Sequence, residues 1–194
     1  GAGTMGCGIA QEASQNNHNV YLIDNNPDQL EKAAASLDKI LSRLCEKGKI
    51  STKVKNEIQE RITFTSDFER LSECDLVIEA IIENIEVKHE VFRNIEKIVK
   101  ESCILASNTS SLSIASIGSS LKKPERVVGI HFFNPAPLMP LVEIIPAVQT
   151  NKETFSNAQN LISNWGKTVV LCKDTPAFIG NRIGVMSATE MTLL

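Results

Sequence analysis

Two hydrophobic rhythms alternate along the chain. Short unbroken apolar runs read as buried strands. They are Val20-Tyr21-Leu22-Ile23-Asp24, Asp75-Leu76-Val77-Ile78-Glu79-Ala80, Cys103-Ile104-Leu105-Ala106-Ser107, Val127-Val128-Gly129-Ile130, Leu141-Val142-Glu143-Ile144-Ile145 and Lys167-Thr168-Val169-Val170-Leu171. Between them, apolar residues recur at helical spacing. One such stripe is Met5, Ile9, Ala10 and Ala13; a second is Val87, Val91, Ile95, Ile98 and Val99; a third is Phe155, Ala158, Leu161, Ile162 and Trp165. Strand alternating with helix throughout predicts an α/β fold, doubly wound around a mostly parallel sheet. Residues 26–62 depart from the rhythm and predict a helical hairpin. Asn26-Pro27 opens its first helix, Leu30, Ala33, Leu37, Leu41 and Leu44 carry the stripe, and Gly48 closes it. Ser51 with Val54, Ile58 and Ile62 predicts a second helix running back. The hairpin is either packing decoration or a support for a ligand's tail. Its lysines, Lys39, Lys47, Lys49, Lys53 and Lys55, suit phosphates and an ordinary wet face equally.

A length of 194 residues bounds the chain to one domain, or one domain and the start of another. The division expected is 1–174 for the first domain and 175–194 for a linker and the start of a truncated helical domain, because a helix opening near Phe178 is still in mid-pattern at Met191-Thr192-Leu193-Leu194. The net charge of −3 gives no footprint for nucleic acid or a membrane surface. No apolar run is long enough to span a bilayer. Five widely spaced cysteines with no C-x-x-C argue against a disulfide framework and against a metal site, and suit a reducing compartment, the cytoplasm first.

Three constellations carry candidate chemistry. Gly1-Ala2-Gly3-Thr4-Met5-Gly6 matches G-x-G-x-x-G and runs straight into a helical stripe. Gly1 permits the tight turn, Gly3 lets backbone approach a pyrophosphate, and Gly6 lets the helix pack closely. Thr4 and Met5 sit at the helix N-terminus, whose free N–H groups and dipole favour an anion. Asp24 ends the following strand, where a carboxylate can grip a ribose 2′-hydroxyl and repel a 2′-phosphate, so NAD is favoured over NADP. The motif normally follows a strand. One is expected ahead of Gly1, and a chain lacking it would leave a gap in the middle of its sheet. The second constellation is Asn108-Thr109-Ser110-Ser111, at the carboxyl end of a strand, able to cap a helix beginning near Leu112 or to face a ligand. The third is His131, where an apolar run meets Phe132-Phe133-Asn134-Pro135, with Glu143 inside the next run. A carboxylate in such a run is costly unless paired, and His131 is its obvious partner. A satisfied structural histidine and an exposed glutamate would read the same way. His18 is read as a solvated loop residue, and His89 as an exposed one with no role.

Taken together, the segments resemble the NAD-binding Rossmann domain of L-3-hydroxyacyl-CoA dehydrogenases, the short-chain 3-hydroxybutyryl-CoA enzymes above all. The resemblance rests on the glycine motif, Glu79-Ala80 with Glu83-Asn84, Ala106-Ser107-Asn108-Thr109-Ser110-Ser111-Leu112, His131-Phe132-Phe133-Asn134-Pro135, Leu141-Val142-Glu143, and Asp174-Thr175-Pro176 with Asn181-Arg182. It implies that His131 is a general base toward the substrate 3-hydroxyl, that Glu143 braces it, and that Ser110 and Asn181 hold the substrate. It also implies that Asp24, Glu83, Lys88, Asn108, Ser110 and Asn134 lie at the cofactor with the glycine turn. An acyl-CoA thioester is the implied substrate, and a homodimer formed through a following helical domain the implied assembly. Relatives of this kind occupy the cytoplasm, the mitochondrial matrix or the peroxisome. The sequence departs from the family at Pro140, where relatives often carry lysine, which removes a charge from near the substrate entrance. Two other readings stand beside this one: a non-catalytic, crystallin-like NAD-binding protein, and a dehydrogenase of small hydroxy acids.

Overall fold

A computed structural model describes residues 1–183. Its elements follow the predicted alternation: α1 (Thr4–Gln15), β1 (Val20–Ile23), α2 (Pro27–Glu46), α3 (Thr52–Glu60), β2 (Ile62–Thr65), β3 (Leu76–Glu79), α4 (Ile85–Ile98), β4 (Ile104–Ser107), α5 (Ile114–Gly118), β5 (Val127–Phe132), β6 (Leu141–Pro146), α6 (Lys152–Asn164) and β7 (Thr168–Leu171). The expected continuation of the last helix to residue 194 lies outside the described residues.

The strands form a five-stranded sheet, β3-β4-β5-β6-β7, and a separate parallel pair, β1-β2. All neighbours in the larger sheet are parallel except β5 and β6. The segment joining those two is too short for a crossover helix, so the chain turns back on itself. Gly1 and Ala2 lie across the interruption between the two sheets. A Cβ on Gly1 would stand 2.6 Å from the carbonyl oxygen of Ala80, just past β3, while the Ala2 N–H donates to Asp24, just past β1.

Both faces of the larger sheet are covered, which explains the continuous apolar runs. Successive strand residues point to opposite faces. Leu105, Val127 and Ile145 pack with Phe92, Ile95, Ile114 and Ile117 from α4 and α5. Their neighbours Ala106, Val128 and Ile144 pack with Ile9, Ala13, Ala158 and Ile162 from α1 and α6. Gly129 is required in β5, since a Cβ there would come within 2.9 Å of both Ile114 and Ile145. The hairpin packs on β1 and β2 through Leu30, Leu37, Leu41 and Ile58. Asn26 and Ser51 cap its helices as their types predict. Its far end needs a correction. Ile62 does not extend α3 but opens β2, paired in register with Val20. The run Ile62–Thr65 is too short to announce itself, and parallel pairing to β1 decides its conformation.

Candidate active site

The register of β5 and β6 sets His131 directly opposite Glu143. Opposed residues of an antiparallel pair share a face, so both side chains project to the same side. His131 Nδ1 lies 2.6 Å from Glu143 Oε2. Both residues are buried, His131 at 5% exposure and Glu143 at 1%. Phe133 and Phe178 flank the imidazole at ring-centroid distances of 4.6 and 5.9 Å. The other carboxylate oxygen, Oε1, accepts from the backbone N–H groups of Ile179 and Gly180 at 2.9 and 2.8 Å and from Cys172 Sγ at 3.2 Å. Burial pushes this carboxyl up, but the bonds from His131, Gly180, Cys172 and Ile179 outweigh it and leave the group below its ordinary range. An ionised carboxylate only accepts, so Nδ1 must carry the proton and the ring lone pair sits on Nε2. Among the described residues Nε2 has no hydrogen-bond partner. The thiol of Cys172 is in turn pushed up to about 12 by burial and by its bond to Glu143, so it stays protonated and donating.

A second network starts at the end of β3. Glu79 is buried and accepts from Lys88 Nζ and the Ile81 N–H, both at 2.6 Å, and from Ser107 Oγ at 2.7 Å. Lys88 is itself buried, at 1% exposure, with Glu83 Oε2 3.4 Å from its ammonium. The family resemblance implies that Lys88 lies near the cofactor, but nothing in the sequence foretells that burial. A long aliphatic stem lets it reach inward from the first turn of α4. Glu83 Oε1 accepts from Thr109 Oγ1 and from both the N–H and the hydroxyl of Ser110. Burial pushes Glu83 up, and the Ser110, Thr109 and Lys88 partners bring it net below its ordinary range. Asn181 Nδ2 then donates to the Ser110 carbonyl at 3.1 Å. Ser110 and Asn181 are thus brought together as expected, and Asn181 follows directly on Gly180, which holds Glu143. The two networks meet there.

Helix α5 starts at Ile114, with Ser113 as its N-cap accepting from the Ser116 N–H, and Asp174 adds a second acceptor from outside. That carboxylate accepts from the N–H groups of Ile114 and Ala115 and from Ser113 Oγ. Thr109 Oγ1 accepts from the N–H groups of Ser111 and Leu112, so capping at the polar cluster is local. Asn108 ties strand ends together through its side-chain oxygen, which accepts from the Phe132 N–H at 2.9 Å. Asn134 is exposed, and its side chain makes no hydrogen bond among the described residues. His18 is an exposed loop residue, as expected, and its Nε2 also accepts from the indole N–H of Trp165 at 2.9 Å. His89 needs a correction: it is half-buried rather than exposed, with Nε2 2.9 Å from the Ser116 carbonyl oxygen.

The glycine turn fits a dinucleotide. A Cβ on Gly6 would run into the Gly1 carbonyl, whereas a Cβ on Gly3 would meet nothing within 4 Å, which leaves that side open for a pyrophosphate. Helix α1 has Gly3 at its N-cap and no side-chain cap, so its first-turn N–H groups, at Thr4, Met5 and Gly6, stay available to an anion. The Asp24 carboxylate is held by the Ala2 and Asn26 N–H groups, at 2.8 and 3.0 Å.

Comparison with known proteins agrees with this geometry. Residues 1–175 match the family described as 3-hydroxyacyl-CoA dehydrogenase, NAD binding domain. The chain belongs to that family. By that description the domain's cofactor is NAD. The chain is 43% identical to a 3-hydroxybutyryl-CoA dehydrogenase of Clostridioides difficile, covering 98% of this chain and 68% of that protein. It is 40% identical to the mitochondrial hydroxyacyl-coenzyme A dehydrogenase of Mus musculus, covering all of this chain and 64% of the relative. It superposes on the crystal structure of (S)-3-hydroxybutyryl-CoA dehydrogenase from Ralstonia eutropha with a TM-score of 0.95 at 37% identity, covering 98% of this chain and 67% of that one. The chain therefore spans about two thirds of the length of these relatives. No helix among the described residues is long and apolar enough to cross a membrane, and none of their His, Cys, Asp and Glu side chains cluster as a metal site.

Proposed function

We propose that the protein oxidises L-3-hydroxyacyl-CoA, 3-hydroxybutyryl-CoA first among them, to the 3-oxoacyl-CoA, with His131 as the general base. The 2.6 Å contact between His131 Nδ1 and Glu143 Oε2 carries this reading, because it leaves the imidazole lone pair on the open nitrogen. Nε2 takes the proton of the 3-hydroxyl, and in the reverse direction returns it. Glu143 holds the ring in the required tautomer and stabilises the imidazolium that forms. Ser110 and Asn181, linked to each other, supply polar groups at the substrate oxygen or thioester. NAD, when bound at the glycine turn, supplies the hydride acceptor. Asp24, the first turn of α1, Glu83, Lys88, Asn108 and Asn134 form the cofactor side in this reading. Lys88 contributes through its pairs with Glu79 and Glu83.

Residues from 175 onward lead toward a helical domain that completes the acyl site and a homodimer. Their beginning is docked on this domain, with Phe178 in the core and Ile179 and Gly180 bonded to Glu143. Five unbridged cysteines suit a reducing compartment such as the cytoplasm. The test is turnover of acetoacetyl-CoA with NADH by the full-length protein. His131→Gln is expected to lose at least about 10²-fold in kcat. Wild-type turnover in that variant, or equal use of free 3-hydroxybutyrate, would remove this assignment. Sedimentation of the full-length protein tests the dimer.

A further inference from the structure

Lys167, between α6 and β7, belongs to neither network, yet its side chain is only 6% exposed. Its ammonium has three partners. It donates to the carbonyl oxygens of Ala136 and Met139, at 2.9 and 3.1 Å, and pairs with Glu12 Oε1 at 3.1 Å. Glu12 is on the third turn of α1, the helix whose N-terminus faces the pyrophosphate site, and its side chain is 8% exposed. Burial pushes its carboxyl up despite Lys167. Ala136 and Met139 lie in the loop that leaves β5 just beyond His131 and returns as β6 to Glu143. The same loop rests on α1 a turn earlier: a Cβ on Gly8 would stand 3.4 Å from the Ala136 side chain.

An ammonium has three donors, and here all are directed at groups that fix the loop to the helix. Burying it would be costly without them. Strand order and α1 already set where a pyrophosphate sits, and β5 sets where His131 sits. The distance between the two is what the nicotinamide half of a dinucleotide must span. We propose that Lys167, with Glu12, is a positioning residue that registers the His131-side loop against the cofactor helix, so that the nicotinamide half of NAD is bound in line with His131. The proposal rests on the dehydrogenase reading above. It assigns Lys167 no contact with cofactor or substrate.

The experiment compares Lys167→Met with wild type in the full-length protein, measuring affinity for NADH and for ADP-ribose, and the pH profile of kcat. ADP-ribose carries the adenosine and pyrophosphate but no nicotinamide. The expected result is about tenfold weaker NADH binding and about tenfold lower kcat, with ADP-ribose affinity and the pH profile unchanged. A general loosening of the fold would weaken both ligands alike, and that outcome overturns the proposal, as does unchanged NADH affinity. If Lys167→Met does not fold, Glu12→Gln replaces it, with about threefold weaker NADH binding and the same split expected. The binding measurements stand apart from turnover. A wild-type protein that binds NADH but reduces no acetoacetyl-CoA would therefore sink the dehydrogenase reading and leave the role of Lys167 to be judged by affinities alone.

Discussion

Glu143→Gln changes the chemistry of the dyad while keeping its shape. The carboxylate accepts from His131 Nδ1 through Oε2 at 2.6 Å, and from Ile179 N, Gly180 N and Cys172 Sγ through Oε1 at 2.9, 2.8 and 3.2 Å. An amide has one accepting oxygen and one donating NH2. With its oxygen toward the two backbone N–H groups, the NH2 faces Nδ1 and drives the ring proton onto Nε2, where the base lone pair is needed. With its oxygen toward Nδ1, the NH2 meets two backbone donors and leaves both unpaired, at about 1–3 kcal/mol each. The first arrangement therefore wins, and the histidine is held in the wrong tautomer. The same acid-to-amide change in a Ser-His-Asp triad slows turnover about 10⁴-fold. We expect a loss of about 10²- to 10⁴-fold in kcat here, or about 3–5 kcal/mol of transition-state stabilisation. The assay is oxidation of NADH by acetoacetyl-CoA, followed by absorbance in the full-length variant, with circular dichroism and NADH affinity as controls. A folded variant that binds NADH normally and keeps more than about a tenth of wild-type kcat would falsify the bracing role.

Three further outcomes follow from the same contacts. Lys88→Met strands the buried Glu79 carboxylate and is expected to cost about 3–5 kcal/mol of stability, read from urea unfolding; Lys88→Met combined with Glu79→Leu should recover most of it, and no recovery would count against a buried pair. Ala177→Gly relieves a residue at φ 61°. Because left-handed backbone costs an L residue about 1–2 kcal/mol, a rise in melting temperature is expected, and a fall would show that the turn is not strained. Glu83 and Glu143 both titrate below the ordinary glutamate range when folded. Their contribution to stability is complete above the unfolded value of about 4.3 and drains away as pH falls through the lower folded values. Urea midpoints across that acid range should therefore fall less steeply for Glu83→Gln than for wild type.

What the sequence disclosed about the site follows from how improbable each residue is where it stands. A lone histidine and a lone carboxylate in two adjacent apolar runs demand partners, and the β5–β6 register supplies them. The glycine turn is legible because each glycine answers a local need, and two of the three are enforced by contacts a Cβ could not make. Ser110 and Asn181, far apart in the chain, were linked only by family resemblance, since nothing local ties them. Strand β2 was missed because four residues carry too little periodicity to outweigh the helix before them. The part Asp174 plays at the start of α5 is not legible in the sequence, because it depends on a helix some sixty positions earlier. Lys88 and Lys167 were illegible for the same kind of reason. Exposed and buried lysines look alike in a sequence until the acids they reach are placed in space.

Those acids share one design. Glu79 and Glu143 each interrupt an apolar strand of the same sheet, and each accepts from one nitrogen-bearing side chain and from backbone N–H of a following segment: Ile81 for Glu79, Ile179 and Gly180 for Glu143. Glu79 accepts from Lys88 and, through Ser107, holds the start of the polar cluster that ends in Ser110. Glu143 accepts from His131 and holds the helical turn that carries Asn181. The hydrogen bond from Asn181 to Ser110 closes the circuit between them. Two buried acids, each costly alone, thus fix two segments of irregular backbone, a serine-rich loop and the turn around Ile179 and Gly180, against one sheet. Removing either acid should therefore disturb the far network as well as the near one. Effects of Glu79 and Glu143 substitutions on the spacing of Ser110 and Asn181 should be non-additive, and a double-mutant cycle showing strict additivity in kcat would mean the two networks act apart.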